Sequence, residues 1–370
     1  MEADQKTSPT TRSVPLIAAL LLGSALPTYA NDTVCREGLD ADKDPWTANF
    51  YLDNDLFTNT DRNYTNGIRV SLVSPNVDNF LTDDCLPEWV LGVNQYLPFL
   101  DADASGEDGI QRNVVITFGQ QIYTPTDLNR TTVDPNDRPY AGWLYTGLAY
   151  QSRNEEVLRT TQLNLGIVGP AALGQEAQDF IHDLRGFDKF QGWDNQLENE
   201  LGLQLVHEMK YRFAPEPLTG VLAYDTIFHM GGSLGNVATY ANAGAEFRLG
   251  WRLPDDFGSS ALRPGGDNSA PGPKDARYAS SSRNNSLGAH LFVAADGRYV
   301  LHDIFLDGNT FSDSHSIDKE HWVGEVTVGW AVLYRGVKFS FSRVHRSRVF
   351  KGQPEGHNYG AIALSYSFEF

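Results

Sequence analysis

A polar segment at residues 54–67 concentrates side chains that could bind a cation and polarise an ester. Asp55 offers a carboxylate to a hard cation such as calcium, and the Asn54 amide could donate a hydrogen bond to a developing oxyanion. Asn, Asp and Gly also serve simply to make turns. Turn formation is therefore the alternative explanation of this segment taken alone.

Residues 170–186 have the pattern of a short helix with one polar face. Pro170 opens the run, helix-forming residues fill it and Gly186 ends it. Helical spacing places four polar side chains along one face, namely Gln175, Gln178, Asp179 and His182. We expect Gln175 and Gln178 to contact a substrate bound beside this face.

His182 gives the predicted helix a proton acceptor. An imidazole can take a proton from water near neutral pH, and a calcium ion held partly by Asp55 could stabilise the oxyanion together with Asn54. This combination predicts hydrolysis of an ester by a histidine-activated water. A surface histidine without function is the alternative for His182 considered alone.

Strands must position these side chains. After Trp46 the chain falls into twelve segments whose side chains alternate with a period of two. They span residues 46–56, 63–74, 111–121, 140–153, 157–168, 199–212, 218–230, 238–252, 285–306, 320–334, 336–348 and 357–370. An aromatic content of 12%, 34 glycines and 21% charged residues are typical of a transmembrane barrel, whose outward side chains meet lipid. A soluble β-sandwich is the alternative.

Two features favour the barrel. The last residues alternate up to a terminal Phe370, which resembles the closing strand of bacterial outer-membrane proteins. With the N-terminus in the periplasm, three short connections fall on the periplasmic side, as is usual in such barrels: 154–155, 214–218 and 335–336. Two longer connections on the same side, 75–110 and 253–284, depart from this habit.

We therefore predict an all-β fold, a transmembrane antiparallel β-barrel of about 12 strands with a short helix in an extracellular loop. Asp296–Gly297 could also form a hairpin turn, which would change the strand count by two. The connection at 253–284 is rich in Ser, Gly, Pro and Asn, which predicts a flexible periplasmic segment.

The first 30 residues have the features of a signal peptide. Lys6 and Arg12 precede an apolar run at 14–26 that is too short to span a membrane, and Ala30 ends a small-x-Ala pattern. We expect export to the bacterial outer membrane. The remaining divisions are an N-terminal periplasmic segment at 31–45 and a barrel at 46–370, with a helical active-site loop at 169–199.

The only two cysteines, Cys35 and Cys85, both fall in predicted periplasmic segments. A disulfide between them is the preferred interpretation in an oxidising compartment, and two unpaired buried thiols are the alternative. The formal net charge of −18 disfavours nucleic acid as a partner. The acidic balance is compatible with a cation-requiring enzyme and equally with a soluble calcium-binding protein.

Several motifs together resemble the outer-membrane lipid A 3′-O-deacylase family. The similarity spans nearly the whole mature chain in the same order. It is carried by Asn54-Asp55, Asp61-Arg62-x-Tyr64-Thr65-x-Gly67, Gln120-x-Ile122-Tyr123-x-Pro125, Asp137-Arg138, the run from Gly166 to Gln178, His182 and Gln196-x-Glu198-Asn199. The resemblance implies a twelve-stranded barrel with its active site between the barrel wall and a helix of an extracellular loop. It also implies calcium-dependent removal of the 3′-linked acyloxyacyl group from lipid A.

The family's catalytic residues fall on Asn54, Thr65 and His182, and its metal-binding aspartate falls on Asp55. A family glutamate falls on Asp188, which keeps the charge but is shorter by one methylene, so that its contact to His182 or to the cation could shift. Asp183 could substitute for it.

A basic residue that faces the sugar or phosphate groups of the substrate in the family falls on Arg130. Arg138 is a second substrate-binding candidate, with a salt bridge at a strand end as the alternative.

The resemblance thus implies lipid A, or lipopolysaccharide, as the partner, Ca²⁺ as the cofactor and ester hydrolysis as the activity. We expect a monomer. Two alternatives stay open at this point: a non-enzymatic barrel that acts as a porin or binding protein, and an outer-membrane phospholipase. The second requires a serine nucleophile, for which Ser71 has no histidine at matching spacing.

Overall fold

The chain forms a closed barrel of twelve antiparallel strands in sequential order, with β1 paired to β12. The computed structural model describes residues 45–54, 63–83, 86–97, 109–259, 269–275, 277 and 287–368, with the backbone alone at 63–65. The strands are β1 Trp46–Asn54, β2 Asn63–Val73, β3 Gln111–Thr124, β4 Ala141–Arg153, β5 Val157–Val168, β6 Glu200–Pro217, β7 Ala223–Gly235, β8 Ala238–Trp251, β9 Gly288–Asp303, β10 Trp322–Tyr334, β11 Val337–Arg346 and β12 His357–Phe368. The predicted fold class is confirmed.

Side chains alternate between the lumen and the outer wall along every strand. In β1, Thr47 and Asn49 are buried in the lumen, whereas Phe50 and Leu52 face outward. Closure of the barrel pairs the backbone of each strand with two neighbours, which is the condition for crossing the hydrocarbon layer of a membrane with strands. Outward residues of the other strands are exposed and apolar, as lipid contact requires, for example Phe118, Leu203, Met230, Leu291, Val328 and Leu364.

The segment Asp296–Gly297 lies inside β9 and forms no hairpin. Both neighbouring strands continue their pairing through it, since Asp296 pairs with Gly244 of β8 and with Glu325 of β10. The ladders on both sides keep this stretch extended. The alternative strand count that this dipeptide suggested is therefore wrong.

Part of the connection between β8 and β9 fills the periplasmic half of the lumen. Asp256 is fully buried and pairs with three cations of the barrel interior or of the same connection. Its carboxylate lies 2.6 Å from Arg248 Nη1, 2.7 Å from Arg277 Nη2 and 2.7 Å from Lys338 Nζ. Ion pairs thus hold described residues of this connection inside the barrel, and the predicted flexibility of 253–284 as a whole stays a prediction.

A second segment closes the lumen at the extracellular end. The loop after β9 begins with a one-turn helix, Ile304–Asp307, whose first three side chains are buried. The ring of Phe305 stacks on Tyr123 of β3 with centroids 4.1 Å apart. Beneath this cap lies a cavity of about 110 Å³ that polar and apolar side chains line together.

Two further helices pack against the outer wall. Helix α1, Glu88–Asn94, belongs to the periplasmic connection between β2 and β3, and helix α2, Gly174–Arg185, belongs to the extracellular loop between β5 and β6. The one-turn helix Ile304–Asp307 is called α3. No helix among the described residues is both long and apolar enough to cross a membrane.

Candidate functional site

Helix α2 docks on the outside of the barrel, over strands β3 and β4. A Cβ at Gly142 of β4 would lie 3.2 Å from the Gly174 Cα atom, so that the glycine allows the first turn of α2 to approach the wall closely. Gln120 of β3 donates its side-chain N–H to the carbonyl oxygens of Ala172, at 2.7 Å, and Leu173, at 3.2 Å. These contacts fix the beginning of α2 on the wall.

The apolar face of α2 points away from the protein. Phe180 and Leu184 are 62% and 73% exposed, whereas Gln178 and His182 are only 3% and 2% exposed. A soluble helix would bury the opposite face. The inverted arrangement fits a helix whose outer surface meets lipid and whose polar face lines a cleft against the barrel wall.

The polar face is held by aromatic residues of the same loop. Trp193 donates its Nε1–H to Gln178 Oε1 at 2.9 Å, and its ring packs near Tyr140, with centroids 5.0 Å apart. Burial raises the pKa of Tyr140 to about 12. Ile122 of β3 completes this cluster from the wall.

His182 is oriented by a main-chain oxygen. Its Nδ1–H donates to the carbonyl oxygen of Asp188 at 2.6 Å. Because a carbonyl can only accept, this bond places the proton of the neutral imidazole on Nδ1 and the lone pair on Nε2. The rings of Phe187 and Phe190 meet the imidazole edge-on, with their centroids 6.0 and 5.9 Å from the imidazole centroid.

The side chain of Asp188 is exposed, and the orienting contact comes from its backbone. The turn that presents this carbonyl follows Gly186, which ends α2 with a φ of 69°. The shorter aspartate therefore does not lengthen the contact. Asp183, the other candidate, is paired with Lys189 at 2.8 Å.

Asn54 and His182 lie on the same outer face of the barrel. Asn54 pairs with Asn66 of β2, Asn66 with Ile122 of β3, and Ile122 with Gly142 of β4, so that the four form one outward row across the strands. Asn54 is only 7% exposed. Two polar side chains, Asn54 and Asn66, at outward positions of a lipid-facing wall are costly unless another part of the protein covers them or binds to them.

The length of α2 matches the width of this row. The helix begins over Gly142 and packs Ala177 against the cluster that contains Ile122, which sets its direction toward β2 and β1. From Gly174 to His182 a helix rises about 12 Å. Strand spacing places β2 and β1 about 10 and 14 Å from β4. The helix itself packs on β3 and β4, and β2 and β1, which carry Asn66 and Asn54, follow β3 on the same outer face.

The backbone of β2 departs from regular pairing at Thr65. Tyr64 pairs with Tyr123 and Asn66 with Ile122, which leaves Thr65 as an extra residue in the strand. Bulges of this kind change the direction of a strand locally and are common beside active sites. The side chain of Thr65, the whole of Asp55, and Cys35 and Cys85 lie outside the described residues.

The two arginines predicted to bind substrate are engaged elsewhere. The guanidinium of Arg130 pairs with Asp134 at 2.9 Å within its own loop. Arg138 is buried on the lumen side, with its guanidinium over the Tyr123 ring at 4.4 Å. The structure does not bring Arg138 to the cleft beside His182. Gln175 is half-buried on α2.

From the sequence, no individual role was predicted for Gln120, Asn66 or Trp193. A signal for the first two exists, since both are polar residues at outward positions of strands that otherwise face lipid. The signal becomes readable only when the register of β2 and β3 is known. Trp193 lies in a loop, where no periodicity marks it.

Oxygen donors around Asn54 fit a hard cation better than zinc. The described residues contain no group of three or more His, Cys, Asp or Glu side chains that could hold a metal. Asn66 Oδ1 is buried and has no hydrogen-bond partner among the described residues. Calcium prefers amide and carboxylate oxygens as ligands. The amide oxygen of Asn66 and the carboxylate of Asp55, the residue after Asn54 in the sequence, are therefore suitable ligands for Ca²⁺.

Comparisons with known proteins bear on the family and the fold of the chain. The family model described as outer membrane protein LpxR matches residues 16–368. The solved structure of LpxR from Salmonella typhimurium aligns with a TM-score of 0.67 and 18% identity, over 87% of this chain and 100% of that chain. The β domain of the Bordetella autotransporter BrkA aligns with a TM-score of 0.41 and 8% identity, over 89% of this chain and 99% of that chain. No curated protein sequence matches.

Proposed function

Because the chain belongs to the LpxR family of outer membrane proteins, we propose that it is a lipid A 3′-O-deacylase that requires calcium. The reaction is hydrolysis of the ester that links the 3′ acyloxyacyl group to the sugar. The observation that carries the proposal is a buried histidine in a fixed tautomer, outside the barrel wall, on the outer face that also carries Asn54 and Asn66. A lipid substrate can reach such a site from within the membrane.

His182 acts as the general base. Its Nε2 lone pair takes a proton from a water molecule, and the oxygen of that water attacks the acyl carbon. The Nδ1–H bond to the Asp188 carbonyl keeps the imidazole in the required tautomer and stabilises the positive charge that develops on the ring. Phe187 and Phe190 restrict the access of bulk water to the imidazole.

Asn54 assists at the carbonyl oxygen. Its amide N–H donates to the oxyanion of the tetrahedral intermediate, and the loss of one such donor typically costs about 10²–10³ in rate. The bond between the acyl carbon and the sugar oxygen then breaks, and the proton on His182 Nε2 passes to that oxygen. The products are the free acyloxyacyl acid and a sugar hydroxyl.

Calcium, when bound, would stabilise the negative charge on the carbonyl oxygen and position the ester. Asp55 and the buried Oδ1 atom of Asn66 are the residues of this chain that would hold it. The proposed substrate contacts on the other side of the cleft are the two glutamines of α2, Gln175 and Gln178. The buried Gln178 Nε2 atom has no hydrogen-bond partner among the described residues, so that it can donate to the substrate.

The test is identification of the product. Purified protein is incubated with lipid A and calcium in ¹⁸O-labelled water, and both products are analysed by mass spectrometry. We expect loss of the 3′ acyloxyacyl group, with ¹⁸O in the released acid and none in the sugar hydroxyl. Chelation of calcium should stop the reaction, and its restoration should recover it.

Three results would contradict the proposal: unchanged lipid A, release of phospholipid acyl chains instead, or equal rates with and without the chelator. An Asn54→Asp variant serves as a further check, because it removes the amide donor while it keeps the size of the side chain. It should lose about 10²-fold or more in rate.

A further inference from the structure

We propose that the segment formed by residues 77–83 and 86–97, which includes helix α1, is an in-plane anchor that binds the phospholipids of the periplasmic leaflet. The segment belongs to the long periplasmic connection between β2 and β3. This inference rests on the barrel fold and does not depend on the deacylase activity.

The anchor segment packs on the outside of the barrel, not beneath it. Val77, Phe80 and Val90 form a buried apolar cluster with Val114 of β3 and Tyr150 of β4. Both wall residues face outward, because Val114 pairs with Tyr150 and alternates with the lumenal residue Asn113. The segment therefore covers part of the surface that lipid would otherwise contact.

A polar contact fastens the segment to the wall. Asn94, the last residue of α1, is fully buried, and its amide donates to the carbonyl oxygen of Phe80 and accepts from the hydroxyl of Tyr150. The rings of Phe80 and Tyr150 also meet edge-on, with centroids 5.3 Å apart. The orientation of α1 on the barrel is thus fixed by a specific hydrogen-bond pair.

This fixed orientation leaves a second apolar face uncovered. Trp89, Val93 and Tyr96 are 53%, 39% and 78% exposed on the side away from the barrel. Trp and Tyr are enriched where membrane meets water, because each ring has an apolar body and a polar edge. Glu88 opens the helix, and no basic residue lies in its last turn, so that attraction to anionic headgroups contributes little.

The uncovered face is continuous with the lipid-facing wall. Ile116 and Phe118 follow Val114 on the outward side of β3 and are 39% and 51% exposed. Two residues along a tilted strand correspond to about 5 Å of membrane depth, so that α1 lies about 5–10 Å below these side chains. The exposed apolar face of α1 thus continues the lipid-facing wall toward the periplasm, and this continuity commits the face to lipid as its occupant.

The experiment measures what surrounds Trp89. Full-length protein with fluorine-labelled tryptophans is reconstituted in bilayers of phosphatidylethanolamine and phosphatidylglycerol, and the Trp89→Phe variant assigns the Trp89 resonance. A lipid with a spin label near its glycerol backbone and a water-soluble gadolinium chelate are added separately. Trp193, which is buried, and Trp330, which is exposed on the β10 wall, provide internal controls.

We expect the spin-labelled lipid to broaden the Trp89 resonance at least as strongly as that of Trp330, with little effect from the chelate. A Tyr150→Phe variant should weaken the attachment of α1 and increase the effect of the chelate on Trp89. Stronger broadening by the chelate than by the lipid in the wild type would overturn the proposal. So would an absence of broadening by either agent, which would indicate another protein surface over α1.

Discussion

Replacement of Asp188 by alanine should leave catalysis nearly intact. The side chain is exposed, and the contact to His182 Nδ1 is made at 2.6 Å by the main-chain oxygen, which alanine retains. We expect a rate within about twofold of wild type, since no catalytic contact is removed. If the carboxylate oriented the imidazole instead, its loss should resemble the loss of an outer-shell partner, about 10–100-fold.

Gly186→Ala tests the same contact through the backbone. Gly186 has a φ of 69°, where an alanine costs about 1–2 kcal/mol, and its Cβ would meet no atom within 4 Å. We expect this strain to shift the turn that presents the Asp188 carbonyl. The fraction of protein in which His182 donates to that carbonyl then falls by a factor of about 5–30. Gly352→Ala is the matched control, because Gly352 has a φ of 87° and equally open surroundings.

The assay is the initial rate of 3′-acyl release by each variant in calcium, with the heat-dependent gel shift of the folded barrel as a check on folding. Because the main-chain carbonyl of Asp188 orients His182, we expect near wild-type rates for Asp188→Ala and Gly352→Ala and a lower rate for Gly186→Ala. A 10–100-fold loss in Asp188→Ala, with Gly186→Ala unaffected, would refute this expectation.

Three other predictions concern the elements around the site. Trp193→Phe removes the donor to the buried Gln178 and should loosen α2 by about 1–3 kcal/mol, seen as faster proteolysis within the helix; an unchanged cleavage rate would contradict this. Asp256→Asn leaves buried cations poorly compensated and should lower the free energy of urea unfolding by about 3–5 kcal/mol and raise ion conductance through the lumen. Unchanged conductance and stability would contradict the packing of the β8–β9 connection inside the lumen. Burial raises the pKa of Asp307, but hydrogen bonds, first of all that from His302, lower it to about 2. The ionised Asp307 carboxylate therefore stabilises the fold above about pH 4, and this contribution is lost as the pH falls toward 2. The stability difference between wild type and Asp307→Asn should therefore shrink on acidification, and a difference independent of pH would contradict this.

Alternation of side chains sufficed to predict most of the barrel. The bounds of β5 and β8 from the sequence agree with the structure to within one residue, because outward and lumenal environments impose a strict period of two. The prediction for the end of β6 was less accurate. This strand continues to Pro217, and its last residues are all exposed and no longer alternate.

The site was predictable only in its residue types. The polar face of α2 was readable from helical spacing, but its burial depends on lipid around the protein, which reverses the usual orientation of an amphipathic helix. The carbonyl of Asp188 leaves no trace in the sequence, because every residue carries one. The packing of Asp256 in the lumen was missed for another reason, since its partner Lys338 is 82 positions away.

The most direct measurement compares two histidine variants. His182→Ala removes the proposed base, whereas His207→Ala removes an exposed histidine on the outer wall at β6. Each purified protein is incubated with lipid A and calcium, and the loss of the 3′ acyloxyacyl group is followed by mass spectrometry. We expect deacylation by wild type and His207→Ala and none above background by His182→Ala. Equal deacylation by all three proteins would contradict this expectation.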